Sequence, residues 1–504
     1  MALIPSPSPV GWERAGLSAI ALATAEVRTA LAPTPLHRLP PNSRFAPGTG
    51  LVQTRRNLTI MKLNDLPTGA RGASTRSTDH LAGLKLALGL CLAATTAATA
   101  ADWGQYRGAA TAGISPESIR TSWQEGGPKC LWRVPTTTGF SSFVAAGNRA
   151  FTIMARDHDG APGEMCVAFD AASGKELWAA AVGAAKYQGG GDSGTPDNKG
   201  GDGPRSTPAA ANGRVFAYSS TLVLHCLDAA TGKPLWQQDV AAAYGGKNIG
   251  WSSAMSPVLD GDLVFVAGGG DGQSMLAFKQ ATGEVAWKSG DGGITHASPV
   301  VATIGGTRQV LFILQNGLVS VEAATGKSLW KFDFPYRTST ACSPVVSGDI
   351  VFCTAGYGIG SAACQVTKTP EGFAARELWR AKGDKAVASL WSTPVAKDGF
   401  LYGIMSFKKF GASGPLQCID LKTGAVRWEQ TGFGAGQVIL AGKELLALSD
   451  DGQLVVVNPS ASGYQERARF KAVAGKCWST PALSGGRLFL RSTKEGACFD
   501  VAAR

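Results

Sequence analysis

Residues 226–236 read CLDAATGKPLW, with Asp228 and Gly232 framing a short turn and Trp236 closing the unit. The pattern returns as AFDAASGKELW at 168–178, AFKQATGEVAW at 277–287, SVEAATGKSLW at 320–330 and CIDLKTGAVRW at 418–428. Trp379 ends a divergent copy, and Phe470 stands in the Trp place of another. A second piece precedes these units: STPAAANGRVFAYS at 206–219, SPVLDGDLVFVAG at 256–268, SPVV at 298–301 and 343–346, STPV at 392–395 and STPA at 479–482. Self-similarity at a period of about 40–50 residues marks a repeat architecture.

The physics of one unit follows from its residues. Ser/Thr-Pro opens an apolar strand, where Pro is tolerated as the first residue. Asp260-Gly261-Asp262 or Ala211-Asn212-Gly213 turns the chain back into a second strand. A third strand ends at the Asp. In D-x-x-T-G, Gly takes positive φ without steric cost, while Asp and Thr bond local amides. A short fourth strand then presents the Trp for burial against the next unit. Four antiparallel strands in about 40–50 residues make a propeller blade.

Strand openings near Ser141, Ser206, Ser256, Ser298, Ser343, Ser392, Gln437 and Ser479 number eight. The last unit stops after its third strand, at Cys498-Phe499-Asp500. A spare Trp strand, Cys130-Leu131-Trp132-Arg133-Val134, precedes the first unit. The expectation is an all-β, eight-bladed β-propeller of four-stranded antiparallel blades over 129–504, closed by the N-terminal strand near Trp132. Trp132, Trp178, Trp236, Trp287, Trp330, Trp379 and Trp428 are read as blade-docking residues.

Composition agrees with short strands and tight turns. Gly fills 65 of 504 positions, about twice its usual share, which works against long helices. The net charge is +11, but the first hundred residues carry 10 Lys+Arg against 4 Asp+Glu, and the rest 38 against 33. The body is only mildly basic and has no long Lys/Arg run, which argues against nucleic-acid binding. No apolar run reaches the length of a spanning helix.

Residues 81–101 read LAGLKLALGLCLAATTAATAA. Arg71, Arg76 and Lys85 supply a positive region, Leu86–Ala94 a short apolar one, and Ala98-Thr99-Ala100 an A-x-A site. This order predicts a signal peptide over 61–100, starting at Met61 and cleaved before Ala101, with a periplasmic or secreted product. Leu90 before Cys91 does not fit a lipidation site. Residues 1–60 are read as an upstream start-site extension, or else a disordered leader, and 101–128 as a lead-in to the propeller. Nine Cys remain after Cys91, an odd count that leaves at least one thiol unpaired. Cys226, Cys418 and Cys498 are expected as buried small residues. Cys342, Cys353 and Cys364 are placed on successive strands of one repeat, which leaves a cross-strand disulfide open.

The D-x-x-T-G-x-x-x-W repeat, from about Trp132 to Asp500, resembles the tryptophan-docking repeat of the pyrroloquinoline quinone (PQQ) propellers. The opening Asp102-Trp103-Gly104-Gln105-Tyr106-Arg107-Gly108 is similar to the start of many exported members. The family includes quinoprotein alcohol dehydrogenases and the non-enzymatic lipoprotein of the outer-membrane barrel-assembly machinery. An enzymatic member implies PQQ with calcium, an Asp base and a disulfide of adjacent cysteines against the quinone. No two Cys are adjacent in this sequence.

Propeller ligands sit over the central channel. Three residues before each strand-opening Pro, or its equivalent, stand Phe140, Arg205, Ala254, His296, Ala341, Trp391 and Trp478, with Trp251 and Arg337 nearby in sequence. Equivalent blades would bring Phe140, Arg205, Trp251, His296, Arg337, Trp391 and Trp478 together as a ligand pocket for a planar anion or a peptide. Asp192, Asp197 and Asp202, in the Gly-rich insertion 189–205, are weak calcium candidates. No catalytic set is legible. The leading expectation is an exported, non-catalytic propeller of the cell envelope that binds a protein or small ligand at its mouth, with no confident cofactor. The alternative is a PQQ-dependent oxidoreductase.

Overall fold

The D-x-x-T-G turn and the Trp strand behind it recur because each solves a packing problem for its neighbour. In a computed structural model describing residues 102–123, 126–187, 203–338, 340–383, 387–405 and 414–503, the chain forms eight sheets, each with four antiparallel strands. Blade 3 is typical: Val258–Asp260, Leu263–Ala267, Met275–Lys279 and Val285–Ser289, in that order from the channel outward. Its second and third strands are almost wholly buried, as expected for strands covered by blades on both faces. The outer strand buries only Trp287. Lys129–Pro135 pairs with Glu495–Asp500, so the N-terminal strand completes the last blade and closes the ring.

In seven blades the outer strand slips by one residue immediately before its Trp, and in the blade ending Glu466–Lys471 the same slip falls before Ala468. This bulge leaves the preceding residue without a partner in the ladder and turns the next side chain toward the adjacent blade. Leu177 and Leu235 occupy that bulge, and both are exposed. The indole N–H then donates to a carbonyl in the next blade's turn. The pairs are Trp132 with Ala171 (3.0 Å), Trp178 with Ala229 (3.1 Å), Trp236 with Gln280 (3.0 Å), Trp287 with Ala323 (2.9 Å), Trp379 with Leu421 (2.9 Å) and Trp428 with Ser460 (2.8 Å).

Trp330 departs from the expected docking bond. Blade 5 replaces the tight turn with the long hairpin Gly360–Thr369 and Gly372–Lys382, so Trp330 donates to Gln309 Oε1 of its own blade (2.8 Å). Phe470 does not hold the Trp place expected for it: Ala468 follows the slip, and Phe470, two residues on, packs edge-on against Trp123 and Phe499.

The turn glycine does two jobs. Gly283 has φ +74°, and a Cβ there would lie 2.6 Å from the Trp236 ring. Gly261 in the same blade has φ +54° and open space around it. Gly261→Ala is therefore expected to cost about 1 kcal/mol and Gly283→Ala about 2–4 kcal/mol. Urea unfolding midpoints check this, and equal losses would contradict the stacking role.

Ser and Thr hydroxyls at the strand openings fasten several neighbouring blades around the channel. Thr480 N donates to Ser142 Oγ (2.8 Å), Ser142 N to Thr207 Oγ1 (2.9 Å), Thr207 N to Ser256 Oγ (2.9 Å) and Ser256 N to Ser298 Oγ (2.9 Å). Ser343 N donates likewise to Thr393 Oγ1 (3.1 Å).

Residues 102–120 form a strap across the channel, further along the inner strands than these hydroxyls. Trp103 bridges Ala145, the Gly104 carbonyl accepts from Ala210 N (2.6 Å), and Gln105 Oε1 accepts from Leu259 N (2.7 Å). Thr111 Oγ1 accepts from Val301 N (3.2 Å), and Arg107 donates to the Thr393 and Pro394 carbonyls (2.8 and 2.7 Å). Ile114–Ser115 adds a parallel strand to Gln437–Ala441, and the Glu117 carboxylate accepts from Gly485 and Gly486 N–H. One segment thus bonds to seven of the eight blades and closes the channel on one side.

The nine cysteines of the described residues are free. The cross-strand disulfide left open above does not form: Cys353 stands opposite Ala362 and Cys364 opposite Val351, while Cys342 precedes the inner strand Val345–Ser347. Cys226, Cys418 and Cys498 are buried as expected, and burial pushes the Cys226 and Cys498 thiols up to about 12.

Candidate functional site

The strand openings that fasten the ring also carry the residues facing its mouth. Phe140, Arg205, Trp251, His296, Trp391 and Trp478 line one cavity, with Ala254 and Ala341 from equivalent positions. It encloses about 830 Å³ of empty space, counting its open mouth. Ser142, Ser256, Ser298 and Gln437 supply polar wall, and Tyr106 of the strap reaches it from below. The cavity is therefore a cup rather than a through-channel. Arg337 does not join it. That residue is exposed, and its backbone turns locally onto Thr340.

Tyr106 and Tyr357 were not legible as site residues. Tyr106 lies in a segment outside the repeat. Tyr357 sits between two glycines in a blade-5 insertion, with φ +57°. Trp251 and Ser252 likewise adopt φ +65° and +61°. Consecutive non-Gly residues in this region are strained and persist only where their surroundings hold them. Arg205 Nη2 donates to the Trp251 carbonyl, Ser252 N to Ile249 O (2.9 Å) and Ser253 N to Ser220 O (3.1 Å).

One wall is an aromatic stack. Trp478 lies 4.5 Å from Phe140 and 4.2 Å from Trp391 between ring centroids, with interplanar angles of 29° and 37°. The first pair is stacked and the second tilted, and aromatic contacts of this kind hold rings more firmly than area burial alone. Lys476 Nζ lies 4.9 Å from the Trp478 ring centre.

The charged part of the wall adjoins this stack, since Phe140 N donates to the carbonyl of Pro204, next to Arg205 (2.7 Å). Arg205 lies over the Tyr187 ring at 5.2 Å. Tyr187 Oη donates to Glu164 Oε1 (2.9 Å), and Ser220 N donates to Glu164 Oε2 (3.0 Å). Glu164 is 2 % exposed, and burial raises its pKa against those hydrogen bonds and the nearby Arg205 charge. Among the described residues, the Arg205 charge is the one nearby cation that favours the Glu164 carboxylate against this burial. No Asp or Glu among the described residues lines the cup.

His296 is 5 % exposed, and neither ring nitrogen makes a hydrogen bond. The Thr338 backbone approaches closely enough to oppose its pKa shift, but not in bonding geometry. Burial first, and then the Arg205 charge, pull its pKa down to about 3, so the ring is neutral. The unfolded chain takes up this proton near pH 6.5. Stability is accordingly complete above that pH and is lost as pH falls toward 3, by about 1.4 kcal/mol per unit. Thermal unfolding at about pH 7 and 4 should show a shallower acid loss in His296→Leu than in the wild type. Parallel curves would contradict the assignment.

Among the described residues, no group of three His, Cys, Asp or Glu is arranged to hold a metal, and no helix is long and apolar enough to cross a membrane. Asp192, Asp197 and Asp202 lie outside the described residues, as does the expected signal peptide.

The family described as outer membrane protein assembly factor BamB matches residues 163–430. The protein of that name from Shewanella oneidensis is 24% identical over 265 residues, covering 50% of this chain and 64% of its own length. The match thus spans less than two thirds of that relative. Quinohemoprotein alcohol dehydrogenase from Comamonas testosteroni shares the fold at a TM-score of 0.55, with 15% identity over 80% of this chain and 81% of that one. Quinohemoprotein alcohol dehydrogenase ADHIIG from Pseudomonas putida HK5 gives 0.53 and 13%, covering 80% of each chain.

Proposed function

From the premise that this chain belongs to the family described as outer membrane protein assembly factor BamB, we propose that it is an exported, non-catalytic propeller that binds a component of the cell envelope at its cup. The observation that carries this reading is the lining of the cup. Six aromatic rings and several neutral hydrogen-bonding groups surround one guanidinium that already has partners, and no carboxylate joins them among the described residues. Such a wall can hold and orient a ligand by stacking and hydrogen bonding. It offers no carboxylate base among the described residues, and the one imidazole in the lining, His296, is a weak base because burial pulls its pKa down to about 3.

The same lining bears on PQQ, the cofactor implied by the dehydrogenase side of the resemblance. The aromatic stack suits a flat ring system. Three quinone carboxylates need cationic partners, however, and Arg205 is shared with Glu164 and the Trp251 carbonyl. Calcium needs several converging oxygens, and no Asp or Glu of the described residues reaches the wall. The residues present do not fit PQQ with calcium.

Photo-crosslinking in cells tests the binding reading. A photoreactive residue at exposed Tyr357 on the cup rim should give an adduct with an envelope component, while one at exposed Val285 on the blade perimeter should not. Adducts from the perimeter alone would overturn it.

A further inference from the structure

We propose that the cup binds a pyranose ring of a neutral glycan, an inference that rests on the binding reading above and names its ligand class. A bound molecule must meet three features of the lining. The first is the neutral His296, nine-tenths buried, with one donor and one acceptor nitrogen unbonded. The second is a set of donors. Trp478 Nε1–H has no partner. The Ser142, Ser256 and Ser298 oxygens each accept a backbone N–H from the ring, which leaves their hydroxyl protons to be given away. The third is flat apolar surface on the half-buried rings of Phe140, Trp391 and Trp251.

Buried polar groups left without partners are costly, so a matching ligand gains from satisfying them. A pyranose has a face of C–H bonds that lies flat on an aromatic ring. It also has a rim of hydroxyls, each of which donates and accepts. The His296 acceptor nitrogen asks for a ligand donor, which a carboxylate cannot supply. Among the described residues, Arg205 is the one charged side chain in the lining; it already bonds the Trp251 carbonyl and lies over the Tyr187 ring, so a polyanion finds no second cation there. Strained Trp251 and Tyr357 supply further aromatic rim at the entrance.

The test is a titration of the full chain, followed by Trp emission, with cellotetraose, maltotetraose and chitotetraose as probes. Sorbitol is the control, with hydroxyls but no ring face. At least one tetrasaccharide should bind saturably below about 10 mM, and sorbitol should not. Binding should weaken at least about ten-fold in Trp391→Ala and in His296→Leu, and stay within about three-fold in Trp391→Phe. If a variant melts early, the rise of wild-type melting temperature with saturating tetrasaccharide reads the same binding. No saturable binding by any tetrasaccharide, or binding indifferent to all three substitutions, overturns the inference. The two readings fail separately. Dye-linked oxidation of a bound sugar would keep the glycan and overturn the non-catalytic reading. Rim adducts without sugar binding would do the reverse.

Discussion

Replacing Arg107 by Met is expected to cost about 3–5 kcal/mol of stability, because it strips donors from buried carbonyls that cannot reach water. Arg107 is 2 % exposed and donates to the carbonyls of Thr393 (2.8 Å), Pro394 (2.7 Å) and Ala112 (3.1 Å). Burial lowers its pKa, and the three carbonyls satisfy its N–H groups with no carboxylate partner among the described residues. The loss should exceed that of a surface substitution many times over, since such changes stay within about 0.5 kcal/mol. Denaturant unfolding measures it. Hydrogen exchange of strap amides such as Gly113 N–H, which donates to the Arg107 carbonyl, should accelerate with it. A loss under about 1 kcal/mol would mean that the strap is an ornament on an independently stable ring.

Arg491→Met should have a comparable effect at a different place, the seam between last and first blades. Arg491 lies on Arg487–Arg491 of the last blade. Its Nη1 donates to the Ser141 carbonyl (2.8 Å), Thr152 Oγ1 (2.8 Å) and the Ile153 carbonyl (2.7 Å), all of the first blade. Burial lowers its pKa to about 9, which leaves it charged at neutral pH. Losing these bonds should again cost about 3–5 kcal/mol. It should also open the seam selectively, because neighbouring blades hold one another pairwise. Hydrogen exchange should then rise first in Lys129–Pro135 and Glu495–Asp500, the pair that closes the ring. Uniform loosening of all blades would contradict a local bolt.

What the sequence made legible follows from what is local and periodic. The D-x-x-T-G turn, the bulge before Trp and the Ser/Thr-Pro opening obey rules contained within a few residues. They recur often enough to expose the blade count and the closing strand. Phe140, Arg205, His296, Trp391 and Trp478 line one cavity because equivalent positions on blades converge geometrically, and Trp251 joins them from three residues before Ala254. Arg337 stands outside the cavity because the equivalent position of its blade is Ala341, while Arg337 itself is exposed on a local turn with Thr340.

The strap was illegible for the opposite reason. It occurs once, and its partners are backbone groups scattered from Ala145 to Ala502, which no side-chain pattern announces. Tyr106 as part of the cup was hidden with it. The Glu164–Tyr187–Arg205 cluster joins residues from separate elements, and although Arg205 precedes a Ser-Thr-Pro opening, Glu164 and Tyr187 sit in no motif. Trp330 matched the repeat, but the long hairpin that displaces its acceptor lies in the next blade.

The most direct test of a non-catalytic binding cup is to titrate the full chain with PQQ and calcium, reading melting temperature and reduction of an artificial electron acceptor with added alcohols. Specific binding to the native state must raise the melting temperature by mass action. The account predicts no saturable rise up to about 1 mM PQQ and no acceptor reduction. A saturable rise that is lost in Trp391→Ala, accompanied by alcohol-dependent reduction, would contradict it.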